Sequence, residues 1–302
     1  MKELELIRLY YYLCDCNDKV LSIHHQRFSH NCSPSNEKLD DIELLTIYFY
    51  CLRFENKHSK TEIYDYAKRY MFSWFPNLPN YANFTSRLNN LCSTIQYLID
   101  RILFDLQTID NQTIDQNVSV IDSLPIMLCS GKRQGKVAPE LSEKSYCATK
   151  NVYYFGVKLH LVAFRRKGKL PMPEYLHITS AAENDLEAIR PTLDQLNNRQ
   201  IFADKAYMDK QLNENLLKTA NTQLLTPVKL VKGESTASRQ FKKAADELFS
   251  KAVSTVRQPI ESWFNWLIEK TDVQRASKVR NTKALILHVF GAIAAALLFW
   301  LF

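Results

Sequence analysis

The chain has 302 residues, 46% of them hydrophobic and only 6 of them glycine, with a formal net charge of +7. These values exclude a disordered chain and set an expectation of about two packed domains. The positive balance permits a polyanionic partner but does not require one.

No secretory leader is expected, because Glu3 and Glu5 interrupt the opening MKELELIRLYYY. Residues 1 to about 110 read as helices. ELELIRLYYYLCDCNDKV, DDIELLTIYFYCLRF and SKTEIYDYAKRYMFSWF repeat apolar residues every three to four positions, with Asp40 or Asp41 and Ser59 as N-caps. PNLPNY is a break, and ANFTSRLNNLCSTIQYLIDRILFDL follows as one long amphipathic helix. Two of these helices have the make-up of a helix-turn-helix reader, with Lys68, Arg69 and Arg87 as DNA contacts; a solvated helix face is the competing account. Residues 109–117 look like a linker.

The seven cysteines read as reduced core thiols of an intracellular protein. Cys14, Cys16, His24, His25, His30 and Cys32 lie close in sequence, but the C-x-C spacing of the first two is not that of a usual zinc module.

From residue 117 the pattern changes. NVSVID, NVYYFGVKLHLVAF and PEYLHITS read as three successive strands, NDLEAIRPTLDQL as a helix and RQIFAD as a fourth strand. MDKQLNENLLKTA is a further helix, TQLLTPV a fifth strand, and a helical tail begins near residue 237. This succession predicts an α/β domain with one mixed five-stranded sheet flanked by helices, preceded by an all-α region. It is also the element order of the ribonuclease H-like fold. The division falls at 1–112, a helical DNA-binding region, and 113–302, a catalytic domain.

Three acids stand out in this second stretch. Asp122 and Asp204 each end a short apolar, β-branched run, and Glu261 sits in the amphipathic helical stretch VRQPIESWFNWL. Each has an ordinary explanation taken alone: a turn residue for Asp122, a helix N-cap for Asp204, a first-turn glutamate for Glu261. Together they form a hard, oxygen-only ligand set suited to magnesium or manganese. Such a set holds two ions about 3.5–4 Å apart for in-line attack at a phosphodiester. Asp122, Asp204 and Glu261 are therefore the expected catalytic and metal-binding residues, and cutting or joining DNA is the expected chemistry.

In WFPNLPNYANFTSRLNNL, VIDSLPI, GVKLHLV, ADKAY and RQPIESWFNWL the chain resembles the DDE transposases of bacterial insertion sequences, most closely the insertion sequence 982 group. The resemblance implies a ribonuclease H-like catalytic domain and two Mg2+ or Mn2+ ions. It also implies double-stranded DNA partners (element ends and target), a homodimer on paired ends, and action in the bacterial cytoplasm at the nucleoid. Related enzymes carry a tyrosine, arginine, glutamate and lysine signature on the helix of the third acid. Arg257 matches the arginine, four residues before Glu261, whereas Ser254 and Ile268 stand where the tyrosine and lysine would be. Lys270 falls on the opposite face, and Pro259 kinks or starts the helix.

The segment SGKRQGKVAPELSEKSYCATKN, with Lys132, Arg133, Lys136, Lys144 and Lys150, reads equally as a phosphate clamp or a solvated loop. Lys158, Arg257 and Arg87 complete the expected DNA contacts. His160 and His177 read as satisfied strand histidines, and Trp263 and Trp266 as packing residues rather than base-stacking ones. The last 19 residues, ALILHVFGAIAAALLFWLF, are long enough to span a membrane, but a buried core helix accounts for them better, and no membrane partner is expected. Three other readings compete: a ribonuclease H-like structure-specific nuclease, an inactive DNA-binding derivative of a transposase, and a membrane-anchored protein using this C-terminal segment.

Overall fold

The computed structural model describes residues 2–17, 39–132, 137–229, 236–277 and 279–302. It divides into two compact units, Met1–Ile109 with Gly135–Glu140 and Leu267–Phe302, and Asp110–Gln134 with Leu141–Trp266. The first unit is therefore discontinuous: the C-terminal residues join the N-terminal helices, whereas the linear division at 112/113 groups them with the strands.

The first unit holds α1 (Glu3–Cys16), α2 (Asp41–Phe54), α3 (Lys60–Tyr70), α4 (Tyr81–Asn90), α5 (Cys92–Ile109) and α9 (Thr282–Leu301). Both expected caps form as capping boxes, Asp40 with Glu43 and Ser59 with Glu62, each pairing a side-chain acceptor with a backbone donor at both ends. The single long helix expected after PNLPNY is two, because the chain turns at Leu91. The preceding Asn89–Asn90 pair favours termination, and Lys60 Nζ holds Asn89 Oδ1 at 2.5 Å.

The apolar C-terminal segment forms α9, whose length and composition would allow it to cross a membrane. Most of it is buried here, packed chiefly on α5 and also on α2 and α4. Gly291 makes the approach to α2 possible, since a Cβ there would collide with the Tyr48 hydroxyl. Arg53 ties down the end of α9, donating to the Phe302 carbonyl at 2.8 Å with its guanidinium over the Phe299 ring. Cys16, Cys51, Cys92, Cys129 and Cys147 are reduced thiols; His24, His25, His30 and Cys32 lie outside the described residues.

The second unit is a six-stranded mixed sheet in the order β2-β3-β1-β5-β6, with β4 also paired to β3. Its strands are β1 (Ile114–Ser130), β2 (Glu143–Cys147), β3 (Val152–Arg166), β4 (Met172–Ser180), β5 (Gln200–Phe202) and β6 (Gln223–Leu225). The helices are α6 (Asp185–Leu193), α7 (Lys210–Ala220) and most of α8 (Thr236–Thr271). Strands β1, β3 and β4 pair antiparallel, while β5 and β6 add in parallel beyond β1. This arrangement is consistent with the ribonuclease H-like fold.

Three details differ from expectation. The first strand begins at Ile114, inside the supposed linker. A sixth strand, β2, lies in the segment read as a loop; EKSYC has no apolar alternation because β2 is an exposed edge strand. Pro259 neither starts nor ends a helix, since α8 runs through it from residue 236 to 271. At Gly156 the fit between β3 and β1 leaves no room for a side chain: a Cβ would strike the Ile126 carbonyl oxygen and lie 2.9 Å from Tyr154 Cε2.

Candidate active site

The site is built where β5 stops following β1. Their parallel pairing ends at Val120 opposite Phe202, while β1 continues to Ser130 against β3 alone. Asp122 and Asp204 each lie two residues beyond that last pair, so the two-residue strand period sends both to the same face of the sheet. Asp122 is thus in the middle of a long strand, not at its end as the sequence pattern implies. Ligand sites in open α/β sheets form where neighbouring strands part in this way.

Asp204 is exposed and accepts a hydrogen bond from the Lys205 backbone N–H at 2.7 Å, capping a single 3₁₀ turn, Lys205–Tyr207. It is not the cap of the following helix, a role that falls to Asp209. Tyr207, buried in the cluster formed by Ile121, Ile189, Ile201 and Leu212, anchors that turn to the core.

Glu261 lies on α8, one turn after Arg257. The Arg257 guanidinium donates through Nη1 to Asp122 Oδ2 at 2.6 Å and through Nη2 to Glu261 Oε1, so the i, i+4 facing expected from sequence is realised. Its Nε is buried with no hydrogen-bond partner. The remaining Asp122 oxygen accepts from the Ser123 N–H at 2.9 Å.

The electrostatics follow from burial. Desolvation pushes the Asp122 carboxyl up to about 6; Arg257 and the Ser123 N–H oppose the shift, while the charges of Asp204 and Glu261 add to it. Burial works against the Arg257 charge, but Asp122, Glu261 and Asp204 outweigh it and raise its pKa. Asp204 and Glu261 are therefore each within electrostatic reach of Asp122.

On the opposite face of β1, Ser123 Oγ donates to Asp185 Oδ1 at 3.2 Å, and Lys158 Nζ lies 3.0 Å from the same oxygen. Sequence reasoning missed Ser123, Asp185 and Tyr207; the one available signal was two polar residues, Asp122 and Ser123, together inside an apolar strand. Lys158 also donates to the Glu183 carbonyl at 2.8 Å. His160 and His177 stack with centroids 4.9 Å apart, each bonded through Nε2, to Thr179 Oγ1 and the Ala188 carbonyl. Trp263 is buried, as packing requires.

The other expected DNA contacts are dispersed. Lys132, Lys68 and Arg69 are exposed, and Arg133 and Lys136 lie outside the described residues. Arg87 is occupied, donating to Asp41 Oδ1 at 2.6 Å and the Leu39 carbonyl at 2.7 Å. Lys270 stands over the Phe299 ring at 5.7 Å, in the helical unit.

A family model described as Transposase DDE domain matches residues 112–280, more than half of the chain and a span that contains all three acids. The chain belongs to this family: it is a DDE-type transposase, in a class of nucleotidyl-transfer enzymes that generally use divalent metal ions. No curated protein and no solved structure matches it.

Two aspartates and a glutamate are the hard oxygen donors that magnesium and manganese take. Among the described residues, however, no three acidic, histidine or cysteine side chains are grouped closely enough to hold an ion as they stand. Arg257 supplies the positive charge between Asp122 and Glu261. The donor chemistry is that of a magnesium or manganese site, with the Arg257 guanidinium standing between two of the three donors.

Proposed function

We propose that this transposase, most similar to the insertion sequence 982 group, binds the terminal inverted repeats of its own element. It then catalyses metal-dependent strand cleavage and strand transfer as a homodimer on paired ends, at the bacterial nucleoid. The observation that supports this reading is Arg257 bonded to both Asp122 and Glu261, with Asp122 and Asp204 each two residues past the last β1–β5 pair.

Asp122, Asp204 and Glu261 would together hold the two ions. Divalent ions held there would supply Lewis-acid activation of the attacking oxygen and offset charge at the leaving oxygen. The chain's own residues prepare for this. The Ser123 N–H fixes one Asp122 oxygen, the Asp204 carboxylate is oriented by the Lys205 N–H, and α8 presents Glu261 and Arg257 from one helical face. Released from the acids, Arg257 is placed to contact a phosphate oxygen beside them. Lys132, Arg133 and Lys136 are further phosphate contacts, and Lys158 joins them only by giving up Asp185 and the Glu183 carbonyl. Arg87 joins them only by giving up Asp41. In this account residues 1–112 bind DNA and residues 113–302 carry the chemistry, with α9 serving the helical core.

Asp122→Asn tests the assignment: cleavage of DNA carrying the gene's flanking ends should vanish while binding to those ends persists. Undiminished cleavage would remove Asp122 from the site. One observation favours a second reading, an inactive DNA-binding derivative: Arg257 already neutralises two of the three acids. Binding without cleavage by the unaltered protein in every divalent metal would select it.

A further inference from the structure

The edge strand β2 and the start of β3 form a hairpin that the chemistry described so far does not use. In its register Tyr146 faces Tyr153, one residue before the turn on each side. The two rings are 4.9 Å apart and tilted by 51°, and both are unusually exposed for tyrosine, at 47% and 62%. They are also held in place. Tyr146 Oη donates to Asn151 Oδ1, and the turn is closed by the Asn151 N–H on the Ala148 carbonyl at 3.2 Å, with Asn151 at a φ of 51°.

Beside Tyr153 the chain leaves β1 through a glycine. Gly131, just past the end of β1, donates its N–H to the Tyr153 carbonyl at 2.8 Å, and a Cβ at Gly131 would come within 2.7 Å of the Tyr153 Cβ. The residue packed against the Tyr153 backbone and Cβ is thus one without a side chain, and the Tyr153 ring stays exposed.

The surroundings are basic. Lys144 lies on the same face of β2 as Tyr146, with its Nζ 5.5 Å from the Tyr153 centroid; Lys150, three residues before Tyr153, and Lys132, next to Gly131, are exposed. Glu143 points to the other face of β2 and accepts from Ser180 Oγ at 2.6 Å. Lysine is depleted in the centres of protein–protein interfaces. Open aromatic faces ringed by lysines instead match single-stranded nucleic acid, whose bases stack and whose phosphates need cations.

We propose that the β2–β3 hairpin is a stacking platform for unpaired DNA, with Tyr153 taking a base face, Tyr146 buttressing it and Lys144 holding an adjacent phosphate. The proposal rests on the reading of this transposase as acting on DNA ends, and it assigns that action a single-stranded substrate feature. Asp122 pairs with Leu161 on β3, eight residues from Tyr153. At about 3.4 Å per residue that is about 27 Å along the strand. The platform therefore grips DNA away from the reacting phosphate.

The test uses the full chain in EDTA, so that no cleavage contributes. Binding to an oligothymidylate and to a blunt duplex of the element end is measured by anisotropy for the unaltered protein, Tyr153→Ala and Tyr153→Trp. The platform predicts that Tyr153→Ala weakens oligothymidylate binding about tenfold, Tyr153→Trp binds it at least as well as tyrosine, and the duplex affinity is unchanged. Melting temperature and oligomeric state of Tyr153→Trp identify a folding or assembly effect. The proposal is overturned if all three proteins bind oligothymidylate alike, if Tyr153→Trp is as weak as Tyr153→Ala, or if the variants change assembly instead. Duplex binding with no single-strand effect removes the platform and leaves the transposase reading standing. No binding to either DNA by the unaltered protein removes both.

Discussion

Arg257 donates to Asp122 Oδ2 at 2.6 Å across the space between α8 and β1, with its other terminal nitrogen on Glu261. One guanidinium thus neutralises two carboxylates that the proposed chemistry assigns to metal ions. Arg257→Gln removes this internal counter-ion. The metal-free protein should melt earlier, because a half-buried acid cluster loses its compensation. Its Mn2+ affinity, measured by calorimetry, should rise about tenfold, and added Mn2+ should restore more stability than it does in the unaltered protein. Unchanged Mn2+ affinity would mean that Arg257 and the ion do not compete.

Gly156 is a steric requirement of the β1–β3 pairing. Gly156→Ala drives a Cβ into the Ile126 carbonyl and against the Tyr154 ring. A loss of about 3 kcal/mol is expected by chemical denaturation, at the upper end of ordinary overpacking because backbone cannot move aside as a side chain can.

His160 makes the fold acid-sensitive. It is fully buried, and burial with the neighbouring His177 charge pushes its pKa down to about 4 from an ordinary 6.5. Above pH 6.5 the ring is neutral in both folded and unfolded chains and no stability is lost. As pH falls from 6.5 towards 4 the unfolded chain takes up a proton that the native ring refuses, so stability declines by about 3 kcal/mol over that window. His160→Gln, which can keep a bond to Thr179 Oγ1, should flatten that part of the pH–stability curve.

Much of this architecture is legible in the residues. The capping pairs Asp40–Glu43 and Ser59–Glu62 announce their helices, and the apolar runs before Asp122 and Asp204 announce buried strands. What escapes notice is set by partners distant in the chain. β2 carries no periodic signal because an edge strand buries neither face well. Asp122 reads as a strand end because apolar alternation stops there, yet β1 continues on the strength of its pairing with β3. The link from Ser123 to Asp185 spans 62 residues and has no local signature. The α9 helix is apolar on all sides whether it enters a membrane or a protein core; only its packing against α5 and α2 distinguishes the arrangement seen here.

That packing has a measurable consequence. Leu297 in α9 is fully buried. Leu297→Ala should cost about 2–5 kcal/mol of stability in detergent-free buffer, through lost burial and the cavity left behind. A neutral effect would mean that α9 does not belong to the helical core in solution.

The central claim is that Asp122, Asp204 and Glu261 cut DNA at the boundary of the element. The most direct measurement is strand cleavage of labelled DNA carrying the gene's own flanking ends, in magnesium, manganese or chelator, by the unaltered protein and by Asp204→Ala. The account predicts nicking at the element boundary that requires metal and disappears in Asp204→Ala while end binding is retained. Cleavage that survives Asp204→Ala, or that ignores the ends, would contradict it.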